Sequence, residues 1–540
     1  MAIVVVGPLM ANGQGQAAPA AAPAAAAPAA APAEIVNGKF VNTRNIVVEV
    51  YDRGNAGGTK PEDNIFTNFI KAGMLKDHNV AVTFKPVPRW TEVEALNNLL
   101  AAGSAPDVCV TYSYPTIQTY ANQGGVTDMA PYLAKYKDML PNLYALLGDA
   151  NINWNKDPVK GTIWAIEAKL AHNPRINTFV REDWLKKLNL KAPTNTAEFE
   201  AMLKAFKDNA AVLLGKDADK MIPLGMSFDI GWVADPVLTS FVPNAVTDKE
   251  LYIRGFDDRH FLYPGIKEGV RLLNKWYNDG LIWKDFPLYG AGDTTGDNLT
   301  KAGYVGAYMG NWDIPYRSGD TGVAGALHKL IGPDANYIAI DCFKNDAGIY
   351  RKFLAPPIDR KVFLPNTNKE PLASLLYLDW LSTLANRKYL QLGDAGINHE
   401  VQADGSYKAL SAVAPNIMNS ANNIDYTITL NGLDLGDPAI TIKSVAIGYA
   451  GVDKKYIESA YAIAKNGARI VAPVNVGQIM AEEGMGPALK EKRDNLLAQA
   501  VVAKPAQFDA IWDAGMKDYL ASGAQAIMDE RKAKYEQFIK

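Results

Sequence analysis

The sequence predicts an α/β protein built from more than one domain, and three observations carry that reading. Short runs rich in Val and Ile alternate with segments of helical periodicity from Ile46 onward, the pattern of βαβ units and a parallel sheet. The 540 residues exceed what one hydrophobic core usually holds. A composition of 48% hydrophobic and 21% charged residues is that of an ordinary globular chain.

The elements follow in order. Asn45–Tyr51 reads as a buried strand, Pro61–Leu75 as a helix and Asn79–Phe84 as a second strand. Thr91–Ala102 reads as a helix with Thr91 as its N-cap, because a threonine hydroxyl can accept from a free amide of the first turn. Asp107–Thr111 is a third strand. The middle of the chain is richer in helices: Arg181–Leu188, Thr196–Asn209 and Gly265–Gly280, the last with Val270, Leu273, Trp276 and Tyr277 on one face. Tyr304–Met309 is a strand running into Gly310-Asn-Trp-Asp313, Ser227–Trp232 is a loop, and Pro371–Leu384 is a strongly apolar helix. From Asp453 to Lys540 the pattern is mostly helical.

The first residues differ from the body. Residues 1–16 contain an apolar run, Ala2–Ala11, followed by small residues, as in a secretory signal, although no Lys or Arg precedes it. Residues 17–43 begin with an Ala/Pro-rich stretch that cannot bury a core and reads as a tether. A periplasmic or extracellular location is expected. No cysteine follows the apolar run to suggest a lipid anchor. Cys109 and Cys342 are far apart and read as buried thiols. A formal net charge of −3, with no concentrated basic patch, argues against a nucleic-acid partner.

Several segments, in their order, carry a family resemblance. They are Leu99-Leu-Ala-Ala-Gly-Ser-Ala-Pro-Asp107, Gly161-Thr-Ile-Trp-Ala-Ile166, Val180-Arg-Glu-Asp-Trp-Leu-Lys-Lys-Leu-Asn-Leu-Lys-Ala-Pro-Thr194, Trp276–Ile282 and Leu378-Asp-Trp-Leu381. On these the chain resembles the extracellular solute-binding proteins of carbohydrate ABC importers, in particular the long oligosaccharide- and alginate-binding subgroup. The resemblance implies a two-lobe periplasmic binding protein fold with hinge strands and a ligand cleft. It places residues 44–168 plus about 360–420 in one lobe and residues 169–359 plus about 421–540 in the other. It implies a monomer that captures an oligosaccharide, delivers it to the importer's transmembrane subunits and catalyses nothing. Many long members of this group carry a calcium loop. Here Asp208, Asp217 and Asp219 are separated by Ala and Leu, short of the six to eight oxygens calcium takes, and no cofactor is expected.

A sugar offers apolar C–H faces for aromatic rings and hydroxyls for charged and amide side chains. In open parallel sheets, ligands gather outside the carboxyl ends of the strands. Sorted by that rule, the 10 Trp and 25 Tyr divide. Trp184, Trp276, Trp380 and Trp512 sit on apolar helix faces and belong to the core. Trp90, Tyr112 and Tyr114 follow strands, and Trp232 lies in a loop after an apolar stretch. Trp312, with Asp313, follows the strand at 304–309 and is the leading candidate, because the resemblance places strand-end tryptophans in the cleft. Asp52 and Arg53 are candidates for ligand hydroxyls, with a surface ion pair as the alternative. Trp164 falls near the crossing strand, and Asp107 ends a segment where a structural cap and a ligand contact are equally consistent.

Enzyme motifs are missing. The five His are scattered, and no His-Glu-x-x-His, Gly-x-Ser-x-Gly or phosphate-loop spacing occurs. Gly290–Gly296 is glycine-rich but does not open a helix after a strand as a nucleotide loop would. A glycosidase carboxylate pair is assembled by the fold, so a secreted glycoside hydrolase stays open as an alternative, as does a sugar-sensing receptor. Trp312→Ala is expected to weaken sugar binding with little loss of fold.

Overall fold

A computed structural model describes residues 35–539 apart from 55–57, 173, 258, 291–292, 411, 450, 473 and 483–484. The signal-like segment 1–16 and the tether as far as residue 34 lie outside the described residues.

The first sheet forms around β1 (Arg44–Asp52), which leads through α1 (Ile65–His78) to β2 (Val80–Pro88). Asn64 starts α1 because its side-chain oxygen accepts from the amides of Phe66 and Thr67 while Thr67 reaches back to the Asn64 amide. β1 and β2 pair in parallel over Arg44–Asp52 and Val80–Pro88. α2 (Glu92–Ala101) then leads to β3 (Cys109–Thr111), joined to β1 through a parallel bridge between Val48 and Val108. Thr91 stands at the N-cap of α2, as expected, but its side chain makes no capping bond.

The chain crosses after β4 (Ile166–Leu170) into a second sheet that begins with β5 (Ile176–Arg181). The second sheet takes β6 (Ile222–Leu224), β7 (Val305–Asn311) and β8 (Tyr337–Ile340) in the order β8-β5-β7-β6. β9 (Phe353–Leu354) precedes the return crossing to β10 (Ile358–Phe363). β11 (Leu430–Asn431) is the last strand of the first sheet, whose order on this side is β11-β4-β10-β3. The sheets are therefore mixed rather than parallel. β10 runs antiparallel to both β3 and β4, and β5 antiparallel to both β7 and β8. A strand that re-enters from the other lobe arrives in the opposite direction to one delivered by a βαβ unit, which accounts for the mixture.

Each sheet carries one large apolar core and a smaller cluster beside it. The first core gathers Ile46, Val48, Phe66, Ile70 and Val110 with the helix Pro371–Ser382, all twelve residues of which are buried. That explains a helix without a polar face. Tyr426, Ile428 and Leu430 belong to this core, so the change of lobe expected at about residue 420 lies short of the pairing that keeps the chain with the first sheet through Asn431. The second core holds Trp184, Phe199, Phe206, Trp276 and Trp512. Gly265, at φ +90°, starts the helix Ile266–Asn278, and a Cβ there would collide with the Phe241 carbonyl oxygen.

Trp184, Trp276, Trp380 and Trp512 are all buried, as their helical spacing predicts. Cys109 and Cys342 are buried free thiols in different cores, and burial raises both. Asp217 pairs with Lys220 at 2.8 Å. Among the described residues no helix is long and apolar enough to cross a membrane.

Candidate functional site

A cleft of ≈ 590 Å³ opens where the chain crosses between the sheets. The crossing segments supply Leu170, His172, Pro174, Arg175, Ala355 and Pro356. The second lobe supplies Trp232 from a helical turn, and Asn311 and Trp312 from the end of β7. The volume lies in the range of small-ligand sites.

Trp312 enters the cleft wall because β7 ends at Asn311 and its own amide donates to the Arg175 carbonyl at 2.8 Å. Its ring packs edge-on against Tyr461, 5.3 Å between centroids, and Tyr449 at 6.4 Å. It is 8% exposed, so the expectation that its truncation spares the fold is corrected: a ring packed this closely leaves a cavity when removed. Asp313 is turned inward. Its carboxylate accepts from the Tyr449 hydroxyl at 2.5 Å and from Arg317 Nε at 2.8 Å, and so fixes the guanidinium of Arg317, a cleft residue.

Trp232 sits not in a loop but in a single helical turn, Ile230–Val233, and is half-buried. Its Nε1 donates to Asn311 Oδ1 at 2.8 Å. Two guanidinium groups lie against its ring, Arg175 at 4.5 Å and Arg259 at 4.7 Å from the centroid. Asp229 holds Arg259 at 2.7 Å. Arg175 Nη1 lies 3.1 Å from His260 Nε2, and His260 Nδ1 lies 2.8 Å from Asp235 Oδ1. Arg175, His260 and Asp235 are all buried. Because Arg175 can only donate, this geometry requires an unprotonated Nε2 and a proton on Nδ1 donating to Asp235. His172, also in the cleft, is held below the usual histidine value chiefly by burial, and its buried Nε2 has no partner among the described residues.

The first sheet presents a separate group at the carboxyl ends of β1, β2 and β3. Trp90 is 73% exposed, and its Nε1 donates to the Arg53 carbonyl at 3.4 Å. Arg89 lies over Tyr112 at 4.4 Å and over Trp90 at 5.4 Å. Arg53 makes a two-bond ion pair with Asp425, at 2.7 and 2.9 Å, the structural alternative the sequence left open. Exposed Asp52 accepts from the Gly54 amide at 2.9 Å. Tyr114 opens a helix and its hydroxyl donates to the Asn155 carbonyl at 3.4 Å, away from this group. Asp107 accepts from the Val47 amide at 2.8 Å, and Trp164 packs on the cluster of Leu96, Cys109 and Phe363.

The structure thus gathers Asp52, Arg53, Trp90 and Tyr112 on one side and Trp232, Trp312 and Asp313 on the other. None of the first group lines the ≈ 590 Å³ cleft. Sequence reasoning missed Arg175, His260, Asn311 and Arg317. Two of these carried a signal: Asn311 adjoins Trp312, and Arg317 stands four residues after Asp313 where a salt bridge closes one turn.

The family described as bacterial extracellular solute-binding protein matches residues 65–415. The polygalacturonan/rhamnogalacturonan-binding protein YtcQ of Bacillus subtilis (strain 168) is 26% identical over 227 residues, 42% of this chain and 43% of its own. The chain spans less than half the length of the curated relatives it matches. Among solved structures, the alginate-binding protein AlgQ2 superposes with a TM-score of 0.57 at 17% identity, covering 92% of this chain and 98% of that one. An HMO-binding, ABC-transporter-associated solute-binding protein from Bifidobacterium longum infantis ATCC 15697 gives 0.60 at 16%, covering 92% and 99%. With most of its length matched by one family and its fold shared over 92% of the chain with solute-binding proteins, the chain belongs to the bacterial extracellular solute-binding proteins.

Proposed function

We propose that this protein is the substrate-binding component of an ABC importer, that it captures an oligosaccharide between its lobes and hands it to the transmembrane subunits, and that it performs no catalysis. The observation that carries this reading is the cleft at the crossing segments. There, two tryptophans stand beside fixed polar groups: Asn311, Arg317 held by Asp313, and the unpartnered Nε2 of His172. Rings supply stacking area, and fixed donors and acceptors orient hydroxyls at little entropic cost. A relative named as polygalacturonan/rhamnogalacturonan-binding, and proteins of the same fold named as alginate-binding and HMO-binding, support the ligand class.

In this reading Asp52, Arg53, Trp90, Tyr112 and Tyr114 belong to the opposing lobe, and hinge motion brings the exposed Trp90 group towards Trp232 and Trp312. A ligand that touches both groups only in the closed state selects that state, and the importer reads closure as loading. The lobes divide at the crossings after Leu170, Leu354 and Asn431.

The test is isothermal calorimetry against a panel of acidic and neutral oligosaccharides, with small-angle scattering of the loaded and empty protein and chromatography of the recovered sugar. Expected are saturable binding, a smaller radius of gyration with ligand, and sugar recovered intact. Binding without compaction would remove the hinge mechanism, and shortened sugar would replace the carrier with a hydrolase.

A further inference from the structure

The guanidinium groups at the interlobe cleft share one property: each is matched by a carboxylate. Arg317 is exposed in the cleft wall, and buried Asp313 accepts from its Nε at 2.8 Å. Arg259 lies on the ring of Trp232, and Asp229 accepts from its Nη2 at 2.7 Å. Arg175 is buried, and its contact with His260 continues to Asp235. Asp257, also in the lining, pairs with Arg493 at 3.0 Å, and Asp494 takes the same guanidinium at 2.8 Å.

The aromatic group of the first lobe repeats the arrangement. Arg53 is held by Asp425 through two bonds, and Arg89, over Tyr112 and Trp90, stands 3.4 Å from Glu92. Exposed Asp52 adds a further carboxylate. Among these described residues the two faces together therefore present no excess of positive charge, although arginines stand against both sets of rings.

We propose that the captured oligosaccharide is uncharged, and that Asp229 and Asp313 set this preference by neutralising Arg259 and Arg317. The inference rests on the carrier reading above and names the ligand class within it. A paired guanidinium still serves a hydroxyl: it has five N–H groups, and Asp313 engages only Nε and Nη2 of Arg317. A uronate needs more. Its carboxylate loses hydration on entering the cleft, and only a cation not already matched by another anion offsets that loss. Here the cations already face carboxylates, so an incoming anion gains little attraction and is repelled by Asp229 and Asp313. Trp232 and Trp312 do not decide between the classes, because a ring stacks on the apolar face of either sugar. Two of the compared proteins are named for the uronate polymers polygalacturonan and alginate, but a shared fold does not transfer a ligand.

The experiment is calorimetric titration of the full chain with tetrasaccharides in matched pairs: tetragalacturonate and tetramannuronate beside their carboxyl-reduced forms, and cellotetraose and maltotetraose beside their 6-carboxyl forms. The members of a pair differ only in a carboxylate or an alcohol. In every pair that binds, the neutral member is expected to bind at least about tenfold more tightly, with an affinity that changes less than about twofold between about 0.05 and 0.5 M NaCl. Asp313→Asn and Asp229→Asn each uncover a guanidinium. In whichever stays folded by circular dichroism, the affinity for the acidic member relative to its neutral partner rises at least about fivefold, and salt reverses the gain. A purely structural role for these carboxylates would lower both affinities and leave their ratio unchanged, and that result overturns their part in the preference. An acidic member that binds the parent protein as tightly as its neutral partner overturns the uncharged ligand and leaves the carrier reading standing. Absence of binding in every pair counts against the carrier reading itself, and this inference falls with it.

Discussion

The two faces that carry the candidate residues are built differently. On the first lobe Trp90 is 73% exposed and rests on Arg53 and Arg89 without being enclosed. On the second lobe Trp312 is 8% exposed, wedged against Tyr449 and Tyr461, and Trp232 lies against two guanidinium groups. Both lobes pair most of their buried charge: Asp235 with His260, Arg493 with Asp257 and Asp494 and Arg181 with Asp183 in the second, and Asp425 with Arg53 and Glu167 with Lys361 in the first. Glu49, in β1, has one oxygen on the Val110 amide and the other without a partner among the described residues, and burial raises its carboxyl to about 8. The second face is fixed by its own packing, whereas the first presents an open ring.

The comparison breaks first at Trp312. Trp312→Ala is expected to lose about 3–5 kcal/mol of stability and at least tenfold in sugar affinity, read by denaturant unfolding and calorimetry. A stability change under about 1 kcal/mol would mean that this face is not packed as described.

Asp235→Ala leaves the buried Nδ1 of His260 without its acceptor and loosens Arg175 against Trp232. A loss of about 2–3 kcal/mol is expected, with a shift in tryptophan emission. An unchanged unfolding midpoint would remove the preorganising role of this relay.

Glu49 probes the first lobe. Its folded value stands near 8 against 4.5 when unfolded, so between those values the folded state keeps a proton that the unfolded state has released. Stability therefore falls as pH rises through that window, by at most about 1.4 kcal/mol per pH unit. Glu49→Gln flattens the decline. Parallel stability–pH curves for the parent and the variant from pH 5 to 9 would show that Glu49 does not titrate in this way.

The smallest effect on the fold is expected at Trp90. Trp90→Ala changes stability by less than about 0.5 kcal/mol yet lowers sugar affinity about fivefold, roughly 1 kcal/mol of lost stacking. Equal affinity would leave the exposed ring outside the site.

Much of the architecture was legible because local periodicity reports burial. The strands at 45–51, 79–84 and 304–309 and the helices at 196–209 and 265–280 were read within a few residues, and four tryptophans were assigned to the core from helical spacing alone. Sheet direction was not legible, because β10 and β11 reach the first sheet only after the chain has returned from the second. The candidate site was read in part. Strand-end position picked out Trp90 and Trp312, and a loop after an apolar stretch picked out Trp232, but nothing local announces that Arg175 is held by His260 or that Arg53 is taken by Asp425, more than three hundred residues away.

The sequence by itself determined the alternation of strand and helix, the apolar faces and the aromatic residues at strand ends, because these depend on neighbours a few positions apart. Only the tertiary structure decided which of those rings are enclosed and which are bare, since the residues that cover Trp312 come from the helix-rich stretch near 449–461. Exposure depends on what the rest of the chain packs against a side chain, and no local pattern encodes that.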